Sequence, residues 1–486
     1  MKKAAFLRKV PLGVFLLGTI AFGTVVRPQA ERAAGAPAFP PELVDRLEKL
    51  RDAALASSYA WRQVAHLSEN IGPRLSGSPQ AQAAVNYVAE ELRDLGLEVK
   101  LEKVMAPHWV RGEERAELVA YPGQAAGTTQ KIVLTALGNS VGTPPEGLTA
   151  EVVVVNGFDE LTALGREKVA GRVVLFNEKF DTRMAAQGRG DAAYEEAVVY
   201  RRSGAQAAKA LGAVASLVRS VGGADYRLPH TGYSTPAGIP AAAVAAEDAD
   251  LLVHLTGQGR VVIHLVLTPK TLPDEPSYNV IADLRGSEHP EQVVIVSGHL
   301  DSWDLGTGAI DDRAGVAVAM ETANLCRQLG LRPRRTLRVI AWMDEENSGA
   351  GSKAYLAEYK DALADHVGAI ESDSGVGHPL GFTGIFSPAA RAALEPVTRV
   401  LAPISATLME NTGDAEADVN PMGNSGVPVF GLMQDLRTYF NYHHTAADTL
   451  DKIDPRELAE NAAAMVVLAY ALADMPQPIP RSSPTK

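Results

Sequence analysis

EQVVIVSGHLDSWDLGTGAIDDRAGVAVAMETANLCRQLGLRPRRTLRVIAWMDEEN, residues 291–347, decides the fold. The apolar run Gln292–Ser297 reads as a buried strand. Ala314–Leu329, with Val318, Thr322 and Leu325 at helical spacing, reads as a helix, and Thr336–Met343 as a second buried strand. The alternation continues downstream. Gly351–Leu363, Arg391–Leu401 and Pro455–Leu472 have helical periodicity, and Val367–Glu371 and Val427–Met433 are short apolar strands. Strand and helix in turn predict an α/β sandwich with a mixed, largely parallel central sheet flanked by helices.

Outward from this stretch the texture changes. Leu43, Leu47, Leu50 and Ala54 lie on one helical face, a second helix runs through Ala60–Leu67, and Ser78-Pro79 opens a third. That helix ends near Gly96, before a strand at Leu97–Val104. From His108 to Leu267 come short β-rich runs, Lys131–Leu137, Glu151–Val155 and Gly171–Phe176, and one helical segment, Ser203–Leu211. With no cluster of metal-type side chains, this stretch reads as an insertion. The predicted layout is a catalytic domain of residues 37–107 and 270–475, an inserted β-rich domain at 108–269, and a flexible Pro/Ser tail at 476–486.

Lys2, Lys3, Arg8 and Lys9 precede an apolar run, Val10–Val26, and the small-residue stretch Ala30–Ala38. That is the order of a secretory signal, residues 1–36, and it predicts a secreted or periplasmic protein with no stable membrane span once the signal is cleaved. An uncleaved signal anchor is the alternative. With 486 residues, 46 Lys and Arg against 58 Asp and Glu, and no dense basic run after the N-terminus, the chain is a poor nucleic-acid binder. Cys326 is the only cysteine, so neither a disulfide nor a thiolate cluster can form within the chain.

In open α/β sheets, ligands bind beyond the carboxyl ends of the strands. Polar groups follow each predicted strand: His299 and Asp301, then Asp344-Glu345-Glu346, then Asp373, then His443-His444, with Asp311-Asp312 in the Gly-rich connection after the first. Singly, each is an ordinary polar loop. Their coincidence at matching strand ends, in types that zinc takes when thiolates are absent, points to a metal centre. His66, His230, His254 and His366 lack such neighbours and read as ordinary core or surface residues.

HLDSWDLGTGAIDD (299–312), DEENSGAGS (344–352), ESDSG (371–375) and HHTAADT (443–449) together resemble the M28 metallopeptidase family, and GPRLSGS (72–78) and YNVIADLRG (278–286) fit it too. The inserted region, with VAGRVVLFN and SGAQAAKALGAVASLV, looks like a protease-associated domain. The resemblance implies two zinc ions per chain: His299 and Asp373 on one, Glu346 and His444 on the other, and Asp311 bridging. It implies Glu345 as general base on a water shared by two ions about 3.5–4 Å apart. Asp301 is the carboxylate expected on the far side of the His299 ring, with Asp448 doing the same for His444. His443 either polarises the substrate carbonyl or packs. The implied function is hydrolysis of dipeptides or short peptides; a homodimer is compatible with it. Aminopeptidase action on longer peptides, a zinc-free receptor, and glutaminyl cyclisation on the same scaffold stay open.

Overall fold

A computed structural model describes residues 39–481; the expected signal at 1–36, residues 37–38 and residues 482–486 lie outside the described residues. The central sheet has eight strands. In spatial order they are Glu98–Val110, Lys270–Leu284, Arg335–Trp342, His289–His299, His366–Glu371, Val429–Gln434, Pro379–Ile385 and Leu408–Asn411. The inner four, from Arg335–Trp342 to Val429–Gln434, are parallel, and antiparallel pairings flank them. The mixed, largely parallel sheet is therefore as the alternation predicts, its inner strands near-continuously apolar because both faces are covered.

One face carries Pro41–Ala56, Pro79–Asp94, Ala314–Gln328 and Pro455–Asp474, packed on Val294, Val296, Val339 and Ala341. The other face, with Ile295, Ile340 and Trp342, receives Tyr355 and Met422. Every residue from Ala314 to Cys326 is buried, because this helix lies between the sheet and Pro455–Asp474. Small side chains allow that close approach. Burial pushes the Cys326 thiol up to about 12, which leaves it a packing residue. Ser78 caps its helix as expected, its hydroxyl accepting from Ala81 N at 3.1 Å.

Glu98–Val110 and Lys270–Leu284 form one long antiparallel ribbon, and the insertion hangs from its far end. It has its own eight-stranded sheet, Gln130–Ile132, Glu114–Ala120, Val262–Leu267, Leu148–Val155, Val173–Phe176, Ala215–Arg219, Ala241–Val244 and Leu134–Ala136 in order. It is less purely β-rich than expected. The helices Phe158–Val169, Gly190–Ala210 and Ala246–Gln258 cover the sheet, and the second is 21 residues long where the sequence reading takes only Ser203–Leu211. The tail also differs from expectation: Ile479 is buried, and the Arg481 guanidinium donates to Leu363 O and His366 O.

Candidate metal centre

The ends of the inner strands carry the chemistry. His299 is the last residue of its strand, Asp344 stands two residues past Trp342, and Asp373 two past Glu371. Two glycines let these ends close on the helix that follows. A Cβ on Gly298 would lie 2.5 Å from an Asp312 carboxylate oxygen, and one on Gly315 only 1.9 Å from Ser372 O. Asp312, expected beside the centre, uses its carboxylate to accept from His299 N and Gly315 N, both at 3.0 Å, and so joins strand end to helix start.

All five expected ligands converge. His299 Nε2 lies 3.0 Å from Asp311 Oδ1 and 3.0 Å from Asp373 Oδ1. His444 Nε2 lies 3.2 Å from Asp311 Oδ2 and 3.0 Å from Glu346 Oε2. Each Asp311 oxygen thus faces a different histidine. Donors about 2.0–2.1 Å from a tetrahedral zinc are about 3.3 Å apart, so each of these four pairs has the spacing of two ligands on such an ion. His299, Asp311 and Asp373 close into a group of three, and Asp311 and His444 do so with His443. The charge balance fits as well: Asp311, Glu346 and Asp373 crowd together with neutral or singly charged imidazoles, and dications would compensate them. Burial opposes charge on His299 and His444, yet the carboxylates around them prevail and hold both imidazoles well above their ordinary pKa. Cations are wanted at both positions.

Asp301 takes a different place from the one expected. Its Oδ1 is 3.8 Å from His299 Nδ1, whereas its own carbonyl oxygen is 3.1 Å from that nitrogen. Oδ1 instead accepts from Asp344 N at 2.7 Å and Glu345 N at 3.2 Å, pinning the turn that carries Glu345 and Glu346. Asp344 sits there with φ 71°, a left-handed geometry that Asp tolerates better than most residues. Its carboxylate accepts from Ser76 Oγ at 2.6 Å and from Ser348 Oγ. Arg74, fully buried two residues before Ser76, donates to Leu300 O and, at 2.9 Å, to Thr307 O. The GPRLSGS loop is therefore a brace for two of the site's loops.

Glu345 is half-buried. Burial, reinforced by Asp373, Glu346 and Asp418 and opposed by His299, pushes its carboxyl well above the usual range. His443 stacks on His444 with ring centroids 3.6 Å apart, and its Nε2 is 3.5 Å from Asp311 Oδ2. Burial, then the His444 charge, keeps the His443 imidazole well below its ordinary pKa, hence neutral.

Asp448 does not support His444. Its Oδ1 accepts from Ile310 N at 2.8 Å, fixing the Gly-rich loop. The carbonyl of Thr231, in the insertion, is the acceptor 3.3 Å from His444 Nδ1. Buried Arg201 reaches the same nitrogen at 3.3 Å, and Tyr194 meets the His443 ring edge-on at 5.2 Å. His230, read as ordinary, is buried here, with its pKa pushed to about 3 by burial and the neighbouring His444 charge. None of the expected ligands comes from the insertion, yet Thr231, Arg201 and Tyr194 form a wall of the centre. Asp418 is a further residue that sequence reasoning missed; it is buried, and burial first and nearby carboxylates next raise it to about 7.

Comparison with known proteins agrees with this geometry. The profile of "Peptidase family M28" matches residues 279–469. Carboxypeptidase Q of Bos taurus is 39% identical over 434 residues, 88% of each chain, and that of Homo sapiens is equally similar. Among solved structures, a peptidase M28 precursor from Shewanella amazonensis superimposes with a TM-score of 0.86 at 34% identity, covering 92% of this chain and 99% of that one. A zinc aminopeptidase from Bacillus subtilis shares the fold at a TM-score of 0.62 and 21% identity, over 86% of this chain and 95% of that one. The chain therefore belongs to peptidase family M28, the metallopeptidase family its motifs resemble.

Proposed function

We propose that this protein is an exported exopeptidase that holds two zinc ions and hydrolyses dipeptides or other short peptides. The observation that carries the reading is Asp311, whose two carboxylate oxygens face His299 and His444 separately at 3.0 and 3.2 Å. His299 and Asp373 would hold one ion and Glu346 and His444 the other, with Asp311 between them. Bound there, zinc supplies Lewis acidity, lowering the pKa of water and polarising a carbonyl.

The rest falls to the chain's own residues. Glu345, with its raised proton affinity, takes a proton from the attacking water as the oxygen adds to the scissile carbonyl carbon. It then delivers that proton to the leaving amine nitrogen. Asp301 fixes the direction of Glu345 through the backbone amides it holds. Neutral His443 points an imidazole edge at the same space and polarises the substrate carbonyl. The insertion, which we take for a protease-associated domain, orients His444 through the Thr231 carbonyl and walls off one side of the centre.

The test is metal analysis together with dipeptides blocked at one end. Two zinc ions per chain, and turnover lost to a chelator, are expected. Cleavage of N-blocked dipeptides would exclude an aminopeptidase. A zinc-free protein that cuts nothing would instead be a binding protein on this scaffold. Export through residues 1–36 is tested by sequencing the N-terminus of the exported protein.

A further inference from the structure

A cavity of about 420 Å³ opens beside the metal centre and has no part in the steps above. Ser374, next to Asp373, and Tyr194, which touches His443, line it and bring its inner end to the ligands. Leu432 and Met433 give it an apolar wall. Asp191 and Asp414 stand at the exposed mouth, and Glu416 lies half-buried further in, accepting from Ser374 Oγ at 3.1 Å. Glu195, also on the rim, is 3.6 Å from Arg202, but no Lys or Arg is among the lining residues.

A second observation points the same way. Gln434 lines the cavity and is 3% exposed. Its Nε2 donates to Ser372 Oγ at 3.1 Å and to Gly375 O at 3.2 Å, while its Oε1 is buried without a partner. Native structures rarely leave such an acceptor unmatched unless a ligand or water supplies the donor. A bare metal ion is a poor candidate. Among the described residues, the only two groups of metal-type side chains whose donor atoms lie within 4.8 Å of one another are Asp311-His443-His444 and His299-Asp311-Asp373. The cavity's carboxylates are spread too widely to share one ion. Spread acceptors around an apolar wall suit a long organic cation, with methylenes on Leu432 and Met433 and N–H donors towards Glu416 and Gln434.

We infer that this cavity receives the cationic side chain of a lysine or arginine next to the scissile bond, so that the enzyme prefers basic short peptides. The inference rests on the peptidase reading and names its substrate class. A free α-amino group shares the ammonium chemistry, but it would leave the apolar wall and most of the volume unfilled.

The experiment compares kcat/KM of the zinc-loaded enzyme for Lys-Ala against norleucyl-Ala, and for Ala-Lys against Ala-norleucine. All four have free termini, so only the side-chain charge varies within a pair. In one of the pairs the lysine peptide should be favoured about tenfold or more. Glu416→Gln and, on a different element, Asp191→Asn should each pull that ratio towards one, which a variant that merely folds poorly would not do, since it lowers both rates together. Equal rates within both pairs would overturn the inference and leave the α-amino group as the cation recognised. An unchanged ratio in both variants would overturn it too. If the zinc-loaded enzyme cuts none of the four peptides, the peptidase reading itself fails and takes the inference with it.

Discussion

Replacing Asp301 separates two roles that a single buried carboxylate could play. Its Oδ1 accepts from two backbone amides, Asp344 N at 2.7 Å and Glu345 N at 3.2 Å, while Oδ2 has no partner and His299 Nδ1 is 3.8 Å away. Asp301→Ala removes both bonds and leaves two amides unsatisfied at a turn already held in a left-handed conformation at Asp344. Bonds to an ionised acceptor contribute about 1.5–3 kcal/mol each, so the loss should come to about 3–5 kcal/mol after partial relaxation. Asp301→Asn keeps an oxygen where Oδ1 stands and puts an amide where Oδ2 already lacks a partner, so it should cost about half as much. Both variants remove the charge near His299 and should weaken metal binding about 10–100-fold. Urea denaturation of the metal-free protein, where zinc affinity cannot enter, measures the first quantity, and competition with a chromogenic chelator the second. If alanine and asparagine prove equally stable, Asp301 does not pin the turn, and its importance runs through His299 alone.

Two further perturbations probe the scaffold. Glu321 is fully buried, and its Oε2 accepts from Ala60 N at 3.1 Å. Burial raises its pKa from 4.5 to about 7. The folded state therefore prefers the protonated acid, and wild-type stability should fall by about 3 kcal/mol as pH rises from 4.5 through 7. Glu321→Gln should escape that loss, its advantage growing between pH 5 and pH 8 in denaturant titrations; a pH-independent difference would mean that Glu321 ionises freely. Gly315→Ala would drive a Cβ to within 1.9 Å of Ser372 O, so the helix start and the Asp373 loop must part. Thermal unfolding should show a loss of about 2 kcal/mol or more, with zinc affinity falling alongside; a variant that binds zinc normally would show that this contact is not needed to shape the centre.

The parallel core and the gathering of polar groups at the strand ends were legible because both depend on local pattern; the choice of five expected ligands among those groups came from the resemblance to family M28. Apolar runs mark the strands, and the residues that follow each run must emerge at the sheet's carboxyl edge. Strands Pro379–Ile385 and Leu408–Asn411 escaped because the first contains Gly381 and Gly384 and the second has only four residues, so neither has a readable period. In the helix Gly190–Ala210 the sequence reading takes only Ser203–Leu211, although Arg201 is buried and its guanidinium donates to Thr231 O, the carbonyl beside His444 Nδ1. Roles set by tertiary approach were the least visible. Asp448 is four residues from His444 and was the natural partner by sequence, yet the acceptor is the Thr231 carbonyl, supplied by the insertion. Asp418 and Arg74 likewise gain their places only when distant segments meet, and no motif spacing encodes that.

The most direct test of two zinc ions served by a separate base is Glu345→Gln, assayed for metal content and turnover on the same sample. Unlike Glu346, whose Oε2 is 3.0 Å from His444 Nε2, Glu345 is read as the base and not as a ligand, so the variant should retain two zinc ions per chain while kcat falls about 10²–10⁴-fold. Loss of zinc in step with activity would make Glu345 a ligand, and retained activity would assign the proton transfer to another residue.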